Sequence, residues 1–498
     1  MKQFKFNIKI CLTALILLIA VPGCEDILEP KLFSDLTEDN FFKTEDDFFA
    51  AVIGLYNPFT SHWGDTDPGD DIWYAALYNA NNRTYLLRSM LTTDELYNDW
   101  DANLQNFTWG PSTWTGTDES TYVKIRFVAR ATDVIDKIQN SGANENIINL
   151  YVAEAKILRA WLMYVLYDFY GPVNVKLDPA TLNNTEILPR PSATEYCAAV
   201  EQDLLDAIAT EELPDWYNDD ANNWGRASRG LARMLLLKLY MHNKEWEKAE
   251  EVGMEIVGMD YELLDDYQDI FTVTANNELI YAIPCNASTP NWWPQHMFPG
   301  GFVSGMAGDV TITRGSGWYG YSMPWEFFDK FETTDQRLNT IIYEYIGRGD
   351  TIIGREYNGI RGAIPLKYTS IVGEGPEYPI DVVVFRYAEV LLSVAEAINE
   401  QRGPDDAYEY VNEVRERAGV DPWSGLTQAE FRDAILDERG RELFGEGARR
   451  QDLIRHGKFI EYAQDRGITD AESHEILFPI PQSVIIESDG VVEQNEGY

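Results

Sequence analysis

Cysteine and histidine are scarce in this chain, and basic residues are heavily outnumbered. Four cysteines among 498 residues cannot staple a fold of this length, so a disulfide-built architecture is excluded. Cys11 and Cys24 fall at the N-terminal leader, which leaves Cys197 and Cys285 as one bridge or as two small buried hydrophobes; the second fits an ordinary core. Only 40 Lys and Arg face 82 Asp and Glu, a formal charge of -42. Such a surface repels phosphate backbones and anionic lipid, which argues against nucleic acid and charge-driven membrane binding, whereas a neutral sugar is compatible. HExxH, CxxC, GxSxG and P-loop motifs are missing, and no EF-hand loop is visible, so no catalytic residue, metal ligand or cofactor is expected. Long apolar runs are missing too: the stretch 10–21 is too short to span a bilayer well.

Aromatic residues are plentiful. They make up 13% of the chain, with 14 Trp and 28 Tyr, while charged residues stay at 24%, which is the composition of a chain that buries a core. The clearest periodicity lies in 229–259. Leu231, Leu235 and Leu239 repeat every four residues, and after the break His242-Asn243-Lys244 come Trp246, Ala249, Gly253 and Ile256 at helical spacing. This predicts a helical hairpin, with Ala249 and Gly253 letting its first helix approach closely. A second hairpin of the same form is expected over 386–420, and the repeat of roughly 34 residues resembles a tetratricopeptide unit. Each unit buries its face only against a neighbour, so the fold expected is mostly α, a scaffold presenting loops. Tyr122–Ile138, Val152–Tyr170 and Ala193–Ala209 read as further helices, and Thr44 as the N-cap of another.

The remaining segments are irregular. Tyr78, Trp100, Trp109 and Trp114 stand among Asn, Gly, Thr and Asp, which suggests a recognition surface, or else plugs at the edge of a core. From about 276 to 381 the helical period disappears, and short strands such as 340–346 are expected among Asn291-Trp292-Trp293-Pro294 and Gly317-Trp318-Tyr319-Gly320-Tyr321. Aromatic faces flanked by Asn, Asp and Gly suit pyranose rings, because their C–H faces stack on indole while hydroxyls bond to amides and carboxylates. Glu438 and Glu442 lie one helical turn apart beside Arg439 and Arg441. A paired-carboxylate acid/base site is one reading; an ion-pair network is the better one, since neighbouring arginines keep carboxylates ionised.

At the N-terminus Lys2, Lys5 and Lys9 precede the apolar stretch, and Gly23-Cys24 closes it, the pattern of a secretory signal over 1–23. Gly23-Cys24 resembles a bacterial lipobox, with Cys24 the lipidated residue, and Glu25-Asp26 looks like the acidic export signal of Bacteroidetes surface lipoproteins. Phe41-Phe42-Lys43-Thr44-Glu45-Asp46, Leu158-Arg159-Ala160-Trp161, ERGRELFGEGARRQDL at 438–453, LFPIPQ at 477–482 and the closing QNEGY, with Glu496 where the family usually has proline, resemble the SusD-like (RagB/SusD) family. The landmarks fall in family order across nearly the whole mature chain.

That resemblance implies a single domain over 24–498: a tetratricopeptide-like scaffold at about 24–275 and 382–498, and an irregular ligand-binding insertion with short strands at about 276–381. It implies an outer-membrane, cell-surface lipoprotein of polysaccharide utilization and nutrient uptake. Such a protein captures oligosaccharide or polysaccharide and delivers it to a TonB-dependent, SusC-like transporter, without enzymatic activity. By position in the family pattern, Asn81, Arg83, Trp100 and Asn103 would contact sugar, and Trp292, Trp293, Trp318 and Tyr319 in the insertion would complete the site. A glycoside hydrolase needs two carboxylates at a fixed separation, and no motif singles out such a pair. A helical-repeat adaptor for a protein or peptide is the third reading.

Overall fold

Apolar period becomes helix almost wherever the sequence carries it. The computed structural model describes residues 41–60, 76–80, 84–112, 119–313, 317–318, 320–357, 359–369 and 378–498. Thr44 caps α1 (Glu45–Ile53): its hydroxyl accepts the Asp47 N–H, and the Asp47 carboxylate accepts the Thr44 N–H in return. After α2 (Tyr85–Leu91) come α3 (Ile125–Gln139), α4 (Glu145–Tyr170) and α5 (Ala193–Ile208). α4 begins at Glu145 rather than Val152, because Asn144 supplies a cap upstream of the densest apolar stretch, and Gly171, at positive φ, stops it as expected.

The first hairpin is α6 (Arg229–Asn243) and α7 (Trp246–Val257), turned by Lys244 in the left-handed conformation. The second is α8 (Tyr387–Arg402) and α9 (Tyr408–Arg417), followed by α10 (Gln428–Leu443) and α11 (Arg449–Arg455). Each helix from α3 to α8 packs on the next, and α8 also receives α9 and α10. The mostly helical fold is therefore a continuous stack. The two hairpins meet through α7 and α8, and this sets the role of Gly253: a Cβ there would lie 2.5 Å from Val394 on α8, but 3.7 Å from Leu237 on α6. Gly253 thus admits the neighbouring hairpin, a correction to the expectation that it serves its own.

Residues 276–386 leave the stack and return to it through one neck, the antiparallel pair β1 (Leu279–Ile283) and β9 (Val382–Arg386). Between them, β2 (Phe302–Ala307), β3 (Val310–Thr313), β6 (Tyr345–Gly347) and β7 (Thr351–Ile353) form a sheet in the order β3-β2-β6-β7. A second sheet has the order β4-β8-β5, built from β4 (Met323–Pro324), β5 (Ile341–Ile342) and β8 (Gly362–Pro365). The strand expected at 340–346 is two strands in different sheets, parted at Tyr343-Glu344. Trp161 on α4 lies where the neck meets the helices. It is fully buried, stacked on Phe59 at 4.1 Å and edge-on to Tyr281 at 5.1 Å, and its indole N–H donates to Tyr78 Oη at 2.9 Å.

Charge welds the insertion to the stack. Arg337 from the insertion reaches Glu438 at 2.7 Å and Glu442 at 3.1 Å; Arg386 at the neck reaches Glu442 at 2.5 Å, Glu446 at 2.7 Å and Glu278 at 2.9 Å. Arg417 adds a third guanidinium on Glu442 at 2.5 Å, and Arg415 and Arg441 complete Glu438 at 2.5 and 2.6 Å. Burial alone would raise both carboxyl pKa values, but the arginines win: Glu438 is held at about 2, and Glu442 well below the usual carboxylate range. Both side chains are enclosed and ionised, which is the ion-pair reading rather than the acid/base one. Arg439 points elsewhere, to Asp452 at 2.9 Å.

The last residues clasp α4. Asn495 donates to the carbonyls of Tyr170 and Phe478 at 3.1 and 2.8 Å, and Trp109 donates to Tyr498 Oη at 2.8 Å. Of the two readings open for the loop aromatics, Trp109 and Tyr78 follow the second, as core residues, for these reasons. Glu496 is exposed, so the fold makes no demand for proline there. Cys197 and Cys285 are free thiols. Among the described residues no helix is long and apolar enough to cross a membrane.

Candidate functional site: an aromatic cleft beside the helical stack

The cleft is rooted in the Thr92-Thr93-Asp94-Glu95 segment. The two threonine hydroxyls donate back to the carbonyls of Arg88 and Met90 at 2.8 and 2.7 Å, which closes α2. Asp94 takes a two-pronged bond from Arg449 at 2.8 and 2.9 Å, so the segment is tied to α11. Tyr97 then exchanges backbone hydrogen bonds with Ser322 at 2.8 and 2.9 Å, joining this loop to the insertion. Asn98 accepts the Trp100 N–H at 2.7 Å and so caps the short turn Asp99–Asp101, while Tyr321 Oη donates to Asp101 at 3.1 Å. The backbone is fixed on both sides, and Trp100 stands at the tip of the turn with 78% of its surface exposed.

The facing wall comes from the insertion. The Trp318 N–H donates to the Gln295 carbonyl at 3.1 Å and the Gly320 N–H to His296 at 3.0 Å, which lays this strand of chain along the short helix Trp293–Met297. Gly317 is required by close approach, since a Cβ would sit 1.9 Å from the Phe298 carbonyl oxygen. Trp292 and Trp318 stack at 5.3 Å and 25°, and Trp318 remains 47% exposed. His296 lies between Trp318 and Tyr321, and burial lowers its pKa to about 3, so this imidazole is neutral at neutral pH. The resulting cleft is about 150 Å³, lined by Tyr97, Trp100, Pro299, Tyr321, Ser322 and Arg361 among others. The Arg361 guanidinium rests 4.4 Å from the centre of the Tyr97 ring and 3.7 Å from Asp99. A cleft of this kind offers ring faces, hydroxyls, amides and a cation, which suits stacking and hydroxyl recognition. Among the described residues no group of three or more His, Cys, Asp or Glu gathers as a metal site.

The sequence-derived candidates have different fates. Trp100 lines the cleft, and Trp318 lies two residues before its Gly320 wall. Trp292 is half-buried behind Trp318 and also lines a small internal cavity. Trp293 departs from the expectation: it is 3% exposed and packed so that a Cβ on Gly445 would come within 3.3 Å of its ring, which makes it a core residue rather than a platform. Asn103 is half-buried outside the lining of the cleft, and its side-chain oxygen accepts the Thr108 hydroxyl at 3.1 Å. Asn81, Arg83, Tyr319 and Cys24 lie outside the described residues, as does the signal segment 1–23. Sequence reasoning missed Tyr97 and Arg361. Tyr97 sat in view, one aromatic between TTDE and Trp100; nothing in the sequence singled out Arg361.

The SusD family model matches residues 357–498. Over nearly its full length the chain is 26% identical to a SusD-like protein of Formosa agariphila, covering 96% of this chain and 97% of that one. It is 25% identical to the starch-binding protein SusD of Bacteroides thetaiotaomicron, over 87% of each. Among solved structures, the surface glycan-binding protein A of Bacteroides thetaiotaomicron in complex with laminarihexaose superposes with a TM-score of 0.71 at 24% identity, over 90% of this chain and 99% of that one. A SusD homologue from the same organism reaches 0.75 at 22% identity, over 93% and 99%. At these identities the structural matches speak for the fold.

Proposed function

We propose that the chain is a SusD-like protein, a glycan-binding protein of the cell surface that captures oligosaccharide and passes it to a SusC-like, TonB-dependent channel in the outer membrane. One observation carries the binding role: Trp100 is a large apolar ring held open to solvent by a turn whose backbone is pinned on both sides. An indole left exposed on a rigid support is pre-organised for a ring-shaped ligand and loses little freedom when it binds. Tyr97 and Arg361 line the same cleft, and the exposed Trp318 lies two residues from its Gly320 wall. The relative named for starch binding supports a neutral glycan as the ligand class, and the charge of -42 is compatible with one.

Capture without hydrolysis is the reading adopted, because the carboxylate pair that stood out in the sequence is spent on arginines. The insertion near 276–381 supplies one wall of the site and the turn at 97–100 supplies the other; with the scaffold at about 24–275 and 382–498 the insertion is read as one domain. Cys24 would carry the lipid that anchors the mature chain outside the cell.

The test is calorimetric titration of the chain from Cys24 onward against starch- and laminarin-derived oligosaccharides. Binding at micromolar to millimolar strength is expected, about -8 to -4 kcal/mol, with the oligosaccharides recovered intact. Cleavage of the ligand, or binding unchanged in Trp100→Ala and Trp318→Ala, would contradict the proposal.

A further inference from the structure

Three clefts adjoin on this side of the molecule. Tyr97 and Arg361 close one end of the Trp100 cleft, and the same two side chains line a much larger groove of about 1150 Å³. Trp325 borders that groove and also lines a third cleft of about 380 Å³, together with Phe328, Tyr343, Ile352 and Tyr357. Tyr343 is 57% exposed, Ile352 61% and Tyr357 43%. Single exposed apolar side chains are ordinary on a protein surface, but three converging on one cleft of ligand size are not.

The third cleft is a built structure. Phe328 and Tyr343 meet at 5.8 Å, and the Arg355 guanidinium lies 4.7 Å from the Trp325 ring centre, paired with Asp329. Glu344 and Glu356 add carboxylates to the lining. Aromatic faces beside charged hydrogen-bonding groups repeat the chemistry of the Trp100 cleft. The groove between them is different: Asp433, Asp437 and Glu461 share its lining with Lys330, Lys458 and Arg466, Lys330 paired with Asp437 and Lys458 with Glu461. Such a bed gives hydrogen bonds to a hydroxyl-rich chain and little reward to an apolar peptide.

We infer that the Trp325–Tyr343 cleft is a distal platform for the same glycan, engaged only by chains long enough to run from the Trp100 cleft along the charged groove. The inference rests on the proposed glycan-binding function and adds a length requirement to it. Once one end of a chain is held, the second platform meets it at a high effective concentration, so affinity climbs when the chain spans both. Short chains use the Trp100 cleft alone.

The experiment probes the mature chain with an array of neutral oligosaccharides, then titrates the best-bound series from disaccharide to dodecasaccharide. Trp318→Ala is expected to weaken every length. Tyr343→Ala and Tyr357→Ala, both at exposed positions, should leave short chains unaffected and weaken the longest roughly tenfold, the loss of one stacking platform. Melting temperatures of all variants establish that they are folded. If the two tyrosine variants match the wild type at every length, or lose affinity equally at every length, the distal platform is overturned, while the Trp318→Ala result still stands for the primary site. If no oligosaccharide on the array binds, both readings fall.

Discussion

The cluster around Glu442 and the cleft around Trp100 put opposite kinds of side chain in the places usually denied to them. Around Glu442 charge is buried, and each carboxylate is matched by several guanidinium groups until nothing is left to bind a ligand. Around Trp100 an indole is exposed, its backbone N–H bonded to Asn98 and its ring left open. The first region is chemically loud in sequence and inert in structure; the second is quieter in sequence and available. Saturation of hydrogen-bonding capacity, rather than the conspicuousness of a motif, separates scaffold from site in this molecule.

The comparison breaks most severely at the network. Glu442→Ala leaves Arg337, Arg386 and Arg417 buried without their shared partner, and should cost about 3–5 kcal/mol in urea denaturation. Gly253→Ala tests the stack on which the network rests. Overpacking against Val394 should cost about 1–3 kcal/mol, and Val394→Ala should recover part of that loss in the double variant. At the cleft the effect should move from stability to binding: Trp318→Ala should weaken glycan affinity by about 1–3 kcal/mol with the melting temperature unchanged.

Two pH effects sharpen the contrast further, with opposite signs. The carboxyl of Glu438 is depressed in the fold from 4.5 to about 2. Its stabilisation is fully present above the unfolded value and drains away as pH falls through about 2, so a melting series should decline over that acid window. Glu95 goes the other way. Burial pushes its carboxyl from 4.5 to about 8 despite the nearby Arg449 guanidinium. Its contribution is complete below the unfolded value and is lost as pH rises from 4.5 through about 8, so Glu95→Gln should flatten the fall in stability across that window.

Much of the scaffold was legible because it depends on local rules. Thr44 with Asp47, the leucine period of 229–243 and the Gly171 stop are decided within a few residues of chain. What could not be read depends on distant partners. Nothing local distinguishes Trp293, sealed against Gly445, from Trp318, open beside Gly320. Gly253 reads as a contact within its own hairpin until Val394, on another hairpin, is found facing it. Arg361 carries no sequence signal at all, since its place over Tyr97 is created by the return of β8 alongside β4.

The central claim is that an indole held out on a pinned turn meets the sugar, and a crystal structure of the mature chain with its best-bound oligosaccharide tests it most directly. The account predicts a pyranose ring stacked on Trp100, within reach of Tyr97 and Arg361. A sugar bound elsewhere, with the Trp100 ring bare to solvent, would contradict it.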